Sequence, residues 1–336
     1  MSTLAQPVAP PRSPSLGTCP FADRVRAQVA RTVVGQETVV ERVLISLLTG
    51  GHLLLEGVPG IAKTLLVQAV AKAIDLKFAR VQFTIDLLPS DILGAEILDQ
   101  RSSEFRVHKG PIFTNLLLAD EINRASPKVQ SALLEAMQER RVSIGDATHP
   151  LPAPFLVIAT QNPIEQAGTF ELPEAQLDRF LLRHRLTYPS PEDEAEVVRR
   201  SLALKLKKQG DGAVPMSAFD AIDDRDRLHA ADLTAAMTAV QGVHVSEVFV
   251  RACVELVNRT RTHRDIELGC SPRAALALVH ASRARAFIHG RAYAIPEDLF
   301  ALAEDAMLHR MRLKYEALAE GRRAPDVLRD ILNTLA

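Results

Sequence analysis

Leu53-Leu54-Leu55, then Gly57-Val58-Pro59-Gly60-Ile61-Ala62-Lys63-Thr64, then Leu65 to Lys72: no other succession in the chain restricts its fold as much. The apolar triplet reads as a buried strand, and the run after Thr64 is built of good helix formers. Between them, a loop with two glycines and a proline ends in Lys-Thr, the pattern of a phosphate-binding P-loop. In such a loop backbone N–H groups wrap the phosphates, and the helix N-terminus adds positive potential. Lys63 then reaches the terminal phosphates, and the Thr64 hydroxyl ligates Mg²⁺. Ala62 stands where the generic pattern has its last glycine, which a methyl group tolerates if φ is negative there. The plain alternative is an ordinary strand-to-helix turn.

Four further stretches read as strands. Phe78 to Thr84 alternates apolar and polar residues. Leu116 to Ala119 is a buried run that delivers Asp120-Glu121 at its C-terminal end, where ligands sit in open α/β sheets. There Asp120 can hold Mg²⁺ through water and Glu121 can polarise an attacking water; an acidic pair after a strand is otherwise a helix-start signal. Phe155 to Thr160 ends in Gln161-Asn162-Pro163, where Asn162 either orients that water or serves turn chemistry. Leu181 to Leu186 follows Leu177-Asp178-Arg179-Phe180. Arg179 either pairs with Asp178 or acts as an arginine finger on a neighbouring subunit.

Around these strands the chain divides into segments. Residues 1–20, rich in Pro, Ser, Thr and Ala, read as a disordered lead-in. A core over 21–190 opens with helices at Phe21–Ala30 and Thr38–Leu48, joined by the turn Val33–Glu37. It carries two hairpins, Glu96–Val107 and Arg141–His149, the second turning at Gly145-Asp146. Tyr188-Pro189-Ser190-Pro191 marks a boundary, beyond which 191–336 reads as a linker helix and a helical domain. Helices are expected at Glu192–Lys208, Ala230–Val240, Glu247–Thr262, Ser271–His289 and Pro296–His309, with a loop at Gln209–Val214. Ser271-Pro272 starts one of them and puts Arg273 in its first turn, against the macrodipole. Such a cation either reaches back to a phosphate or is a solvated surface arginine.

The formal net charge of −1 gives no whole-chain argument for nucleic acid or an anionic membrane surface. Three cysteines, Cys19, Cys253 and Cys270, lack CxxC spacing and read as reduced thiols. With no apolar run long enough for a bilayer and no leader pattern at the N-terminus, the expected compartment is the cytoplasm. The histidines show no metal-site spacing.

Taken together, Gly57–Thr64, Asp120-Glu121-Ile122-Asn123-Arg124-Ala125, Ala159-Thr160-Gln161-Asn162-Pro163, Leu177–Phe180 and Ser271-Pro272-Arg273-Ala274 resemble the motifs of the AAA+ ATPases, and among them the MoxR family. The resemblance runs from about Phe21 to the C-terminus, and Ala62 is similar to the MoxR form of the loop. It implies an α/β AAA+ P-loop core, a five-stranded parallel sheet flanked by helices, plus a small C-terminal all-α lid domain. It implies an ATPase with ATP and Mg²⁺ as ligands. Asp120 and Glu121 would be the Walker B pair, Asn162 sensor 1, Arg179 the finger and Arg273 sensor 2. A turn like Val33–Glu37 holds adenine in many such proteins. The resemblance also implies a hexameric ring, a protein client remodelled in chaperone-like fashion, and a separate von Willebrand A-domain partner, with the hairpins facing the pore or a partner. The alternatives are a nucleic-acid motor and a magnesium-chelatase-like motor subunit. Against nucleic acid, the Gly145-Asp146 tip has no lysine or arginine cluster.

Overall fold

The computed structural model describes residues 18–58, 60–100, 103–163, 168–209, 212–216 and 227–334. Residues 1–17 of the expected lead-in lie outside the described residues. Cys19 is already buried, and Pro20 opens the helix Pro20–Ala30.

Five strands form one sheet: β1 (Leu53–Glu56), β2 (Phe78–Gln82), β3 (Leu116–Asp120), β4 (Leu156–Gln161) and β5 (Leu182–Arg185). Their order in space is β2-β3-β4-β1-β5, and every pairing is parallel. Alternate side chains of a strand face opposite sides. Leu53, Leu55, Leu116 and Leu118 accordingly enter one apolar core, with the helices Glu37–Thr49 and Lys63–Ala73. Leu54, Leu117 and Val157 enter the other, under the helix Pro127–Glu139. Both faces being covered is why these strands read as unbroken apolar runs. This is the expected α/β architecture, with the P-loop strand inside the sheet.

Beyond the sheet the helices Ala230–Gln241, Glu247–Thr262, Pro272–Ile288, Pro296–Met307 and Ala324–Asn333 share the first of the two cores. The last of these lies past the point where the sequence reading stops, although Val327, Leu328 and Ile331 mark its buried face. One expected element is corrected. The helix begun at Pro191 ends at Leu202, and Leu206–Gln209 instead pairs antiparallel with Gly212–Pro215. No side chain of Pro191–Leu202 is buried, so no packing carries the helix further. The two insertions are hairpins as expected, Gly94–Asp99 with Glu104–Lys109 and Arg141–Ile144 with Ala147–Pro150. Cys19, Cys253 and Cys270 are free and buried, and burial pushes the Cys253 thiol up to about 12. No helix among the described residues is long and apolar enough to cross a membrane.

A network of ion pairs ties the helix Glu37–Thr49 to the C-terminal helices. Arg42 donates to Asp305 at 2.5 Å, and His184 on β5 meets the other oxygen of that carboxylate at 3.0 Å. Glu41 accepts from Arg42 at 2.6 Å, Arg285 at 3.2 Å and His289 at 2.9 Å. Burial pushes the Glu41 carboxyl up, but the His289 hydrogen bond and the charges of Arg42 and Arg285 outweigh it and hold the pKa at about 2. A folded pKa below the ordinary value means stability that is present above the unfolded pKa and lost as pH falls through the folded one. The gap from 4.5 to about 2 corresponds to about 3 kcal/mol, more than half of it gone by about pH 3. Urea denaturation of the wild type and a Glu41→Gln protein at about pH 6 and pH 3 tests this. The wild type should lose about 2 kcal/mol more than the variant between the two conditions; equal losses would refute the assignment.

Candidate functional site

The C-terminal ends of β1, β3 and β4 meet at one rim of the sheet. Gly57, just past β1, donates its N–H to the Gln161 carbonyl at the end of β4, at 3.3 Å. A Cβ on Gly57 would stand 2.7 Å from Ile61 Cδ1 and 3.1 Å from Leu186 Cβ, so a larger residue there would have to push these two side chains aside. Gly60 is left-handed, with φ +87°. Ala62 is too, at φ 59° and ψ 24°, where the sequence reading called for negative φ. Turning the loop over into the helix that begins at Lys63 requires this conformation, and a non-glycine residue there costs about 1–2 kcal/mol. Lys63 Nζ donates to the Gly57 carbonyl at 2.7 Å. Burial lowers its pKa, and the charges of Asp120 and Glu121 oppose that shift, so the three side chains share one electrostatic site.

Both carboxylates of the pair are held firmly. Asp120 is buried at the end of β3; its Oδ1 accepts the Thr160 hydroxyl at 2.7 Å, and its Oδ2 accepts Arg80 Nη2 at 2.7 Å and Nε at 3.1 Å. Glu121 sits at φ 57° and ψ 52°, and its N–H donates to the same Thr160 oxygen at 2.8 Å. That turn aims its carboxylate at β2, where Oε2 accepts Gln82 Nε2 at 2.8 Å and Arg124 Nη1 at 3.2 Å. Asn162, buried, directly follows Gln161 and so lies beside Gly57. The rim therefore gathers Lys63, Asp120, Glu121 and Asn162. Arg80, Gln82 and Thr160 are additions that the sequence reading missed. The signal available was the i, i+2 spacing of Arg80 and Gln82, which puts both on one face of β2.

The donor set fits Mg²⁺. The Thr64 hydroxyl and the Asp120 carboxylate are hard oxygens, and Asp120 already accepts a cationic group on Oδ2. Among the described residues no three His, Cys, Asp or Glu side chains converge as a closed metal cage. Mg²⁺ needs only one or two protein ligands, because it completes its shell with phosphate and water.

Arg179 and Arg273 lie elsewhere. They line a cavity of about 280 Å³ together with Gly50, His52, Arg140 and His280. His52 precedes β1 and Leu181 precedes β5, so this cavity lies at the N-terminal rim of the sheet. The length of β1, about 13 Å at about 3.3 Å per residue, separates it from the P-loop. Asp178 is bound by Arg310 at 2.8 Å, by the Ser271 hydroxyl at 3.0 Å and by Arg273 at 3.7 Å. Arg179 takes no part in this: among the described residues its guanidinium has no acceptor and no ion pair. Of the two readings of Arg179, the pair with Asp178 does not form. Nor does Arg273 reach back to the loop of its own chain, because Ser271 and Asp178 hold the start of its helix at the far rim.

The turn Val33–Glu37 is capped by the start of the helix Pro191–Leu202. Gly35, at φ +68°, lies against the Asp193 carboxylate, leaving no room for a Cβ, and the Ser190 hydroxyl fixes that carboxylate at 2.9 Å.

Comparison with known proteins bears on this arrangement. The model of the ATPase family associated with various cellular activities (AAA) matches residues 52–182, and that of the AAA lid domain matches 258–331. The chain is 44% identical over 317 residues to Chaperone MoxR1 of Mycobacterium tuberculosis, covering 94% of this chain and 81% of that protein. It is 31% identical over 332 residues to Protein MoxR of Methylorubrum extorquens, covering 94% of each. The crystal structure of a protein from Cytophaga hutchinsonii superposes with a TM-score of 0.81 at 43% identity, covering 93% of this chain and 94% of that one.

Proposed function

The chain belongs to the MoxR family of AAA+ ATPases, and from that we propose that it hydrolyses ATP and couples turnover to chaperone-like remodelling or maturation of a protein client. The observation that carries this reading is the convergence of Lys63, Asp120 and Glu121 at one rim, with Arg179 lining a cavity at the other. In this reading the loop Gly57–Thr64 cradles the phosphates and Lys63 binds the terminal ones. Thr64 and Asp120 hold Mg²⁺, which supplies neutralisation of charge on the phosphate oxygens. Glu121 accepts the proton of the attacking water, and Asn162 orients that water.

Arg179 and Arg273 complete the site of an adjacent copy. They stand a sheet's length from their own P-loop, so a head-to-tail contact is what brings them to a triphosphate. Repetition of that contact closes a ring, and six copies is the number this reading favours. The first hairpin exposes Ile97, Leu98 and Phe105, apolar groups that suit a protein contact. A von Willebrand A-domain partner would be a separate chain, and the compartment would be the cytoplasm.

Phosphate release tests the reading. The wild type should hydrolyse ATP with Mg²⁺, at a rate per chain that climbs with protein concentration. A Glu121→Gln protein should bind ATP without turning it over, and in that state should retain client from a lysate. No release at any concentration would overturn the assignment.

A further inference from the structure

We propose that Arg80 is a positioning residue for the metal carboxylate: a built-in cation that occupies Asp120 until a divalent cation arriving with nucleotide displaces it. Asp120 has two oxygens. Oδ1 points into the protein and takes the Thr160 hydroxyl at 2.7 Å, in a bond that also anchors the Glu121 backbone through the same hydroxyl. Oδ2 is the oxygen left for a cation, and Arg80 covers it with two N–H groups, at 2.7 and 3.1 Å. Whether the ion meets Oδ2 directly or through a bound water, a guanidinium already there and a doubly charged ion repel each other, so they compete for this oxygen.

Arg80 is placed to lose that competition. It lies on β2, the edge strand of the sheet, and its side chain is 45% exposed. A long side chain on an edge strand can swing into water at little cost, and because the guanidinium keeps part of its hydration the pair is weaker than a fully buried one. Its departure is felt beyond Asp120, because Nη2 also donates to Gln82 Oε1 at 2.8 Å, and Gln82 is the residue that holds Glu121. Without nucleotide, then, Arg80 keeps a buried carboxylate paired and in place. With nucleotide and metal, that service is no longer needed. The free Mg²⁺ needed to tighten nucleotide binding therefore includes the work of evicting Arg80.

This inference rests on reading Asp120 as a cation ligand, and the test separates the two. Binding of a fluorescent, non-hydrolysable ATP analogue is followed at stepped free Mg²⁺ for wild type, Arg80→Gln and Arg80→Lys, after thermal melts without nucleotide confirm that all three are folded. Because a half-exposed pair contributes up to about 1 kcal/mol, Arg80→Gln should reach half-maximal binding at about two- to five-fold less free Mg²⁺ than wild type. Arg80→Lys keeps a competing cation and should stay near wild type. A Mg²⁺ requirement in Arg80→Gln that is unchanged or higher overturns the inference while leaving the ATPase reading intact. A change of affinity that is the same with and without Mg²⁺ does so as well. Failure of the wild type to bind the analogue at saturating Mg²⁺ overturns both.

Discussion

Arg179→Ala should lower ATP turnover by about 10³–10⁵-fold, the range found for arginine fingers, while leaving the affinity for ATP nearly unchanged. The reason is where the residue sits. Arg179 lies at the N-terminal rim of the sheet, a strand's length from the loop that binds phosphate in its own chain, and its guanidinium touches no acceptor among the described residues. Removing it therefore leaves the chain's own cradle whole. On the proposed reading the defect belongs to the neighbour, and mixing would reveal this. Glu121→Gln lacks the base but offers a good finger; Arg179→Ala lacks the finger but keeps a good base. When the two inactive proteins are mixed in equal amounts, roughly a quarter of the head-to-tail contacts formed at random join a sound base to a sound finger. Phosphate release should recover to that order, measured under conditions in which each protein alone is silent. A mixture as silent as its components would show that the finger serves its own chain or serves none. An Arg179→Ala protein as fast as wild type would remove Arg179 from catalysis altogether.

Asp298→Ala should cost about 3–5 kcal/mol of stability. Asp298 is fully buried at the start of the helix Pro296–Met307. Its Oδ1 accepts from Arg285 at 2.7 Å and from Arg291 at 2.6 Å; its Oδ2 accepts from Arg291 at 2.8 Å and from the Ile295 N–H at 3.0 Å. The alanine would leave Arg291 buried without its counter-charge and remove the N-terminal cap of the helix. Arg285 would keep Glu41 as its remaining partner. For a chain of this size the loss corresponds to a fall in Tm of about 4–7 °C, which a calorimetric scan would read. A fall of a degree or two would mean that water enters and solvates the guanidinium groups, so that the cluster contributes geometry more than stability.

The parts of this molecule that local chemistry specifies were legible before any coordinates. A strand buried on both faces has to be a short apolar run, and Leu53-Leu54-Leu55 and Leu116-Leu117-Leu118 can be little else. Glycines at a reversing loop, and acidic residues directly after such a run, follow from the same local rules. What could not be read depends on pairing. Gln82 lies beside Asp120 only because β2 and β3 align in that register, and Arg80 reaches Oδ2 only because the two strands are neighbours. Arg273 shows the same limit at larger scale. Ser271-Pro272 announces a helix start, but nothing within that helix says which rim of a distant sheet it docks against; Asp178 decides that. The conformation of Ala62 shows a different limit. Its φ is set by the path of the loop, and the residue itself would have favoured the opposite sign.

The two rims have a mechanical consequence. β1 is four residues long and wholly buried, with the P-loop at one end and the wall of the arginine cavity at the other. A close-packed interior transmits displacement instead of absorbing it. On the proposed head-to-tail arrangement, a tug on the loop as nucleotide turns over would be delivered, within the same body, to the side chains lent to the next copy along. Each subunit would then act as a stiff pawl whose back end sets its neighbour's timing, and firing should pass round the proposed assembly in sequence instead of at random.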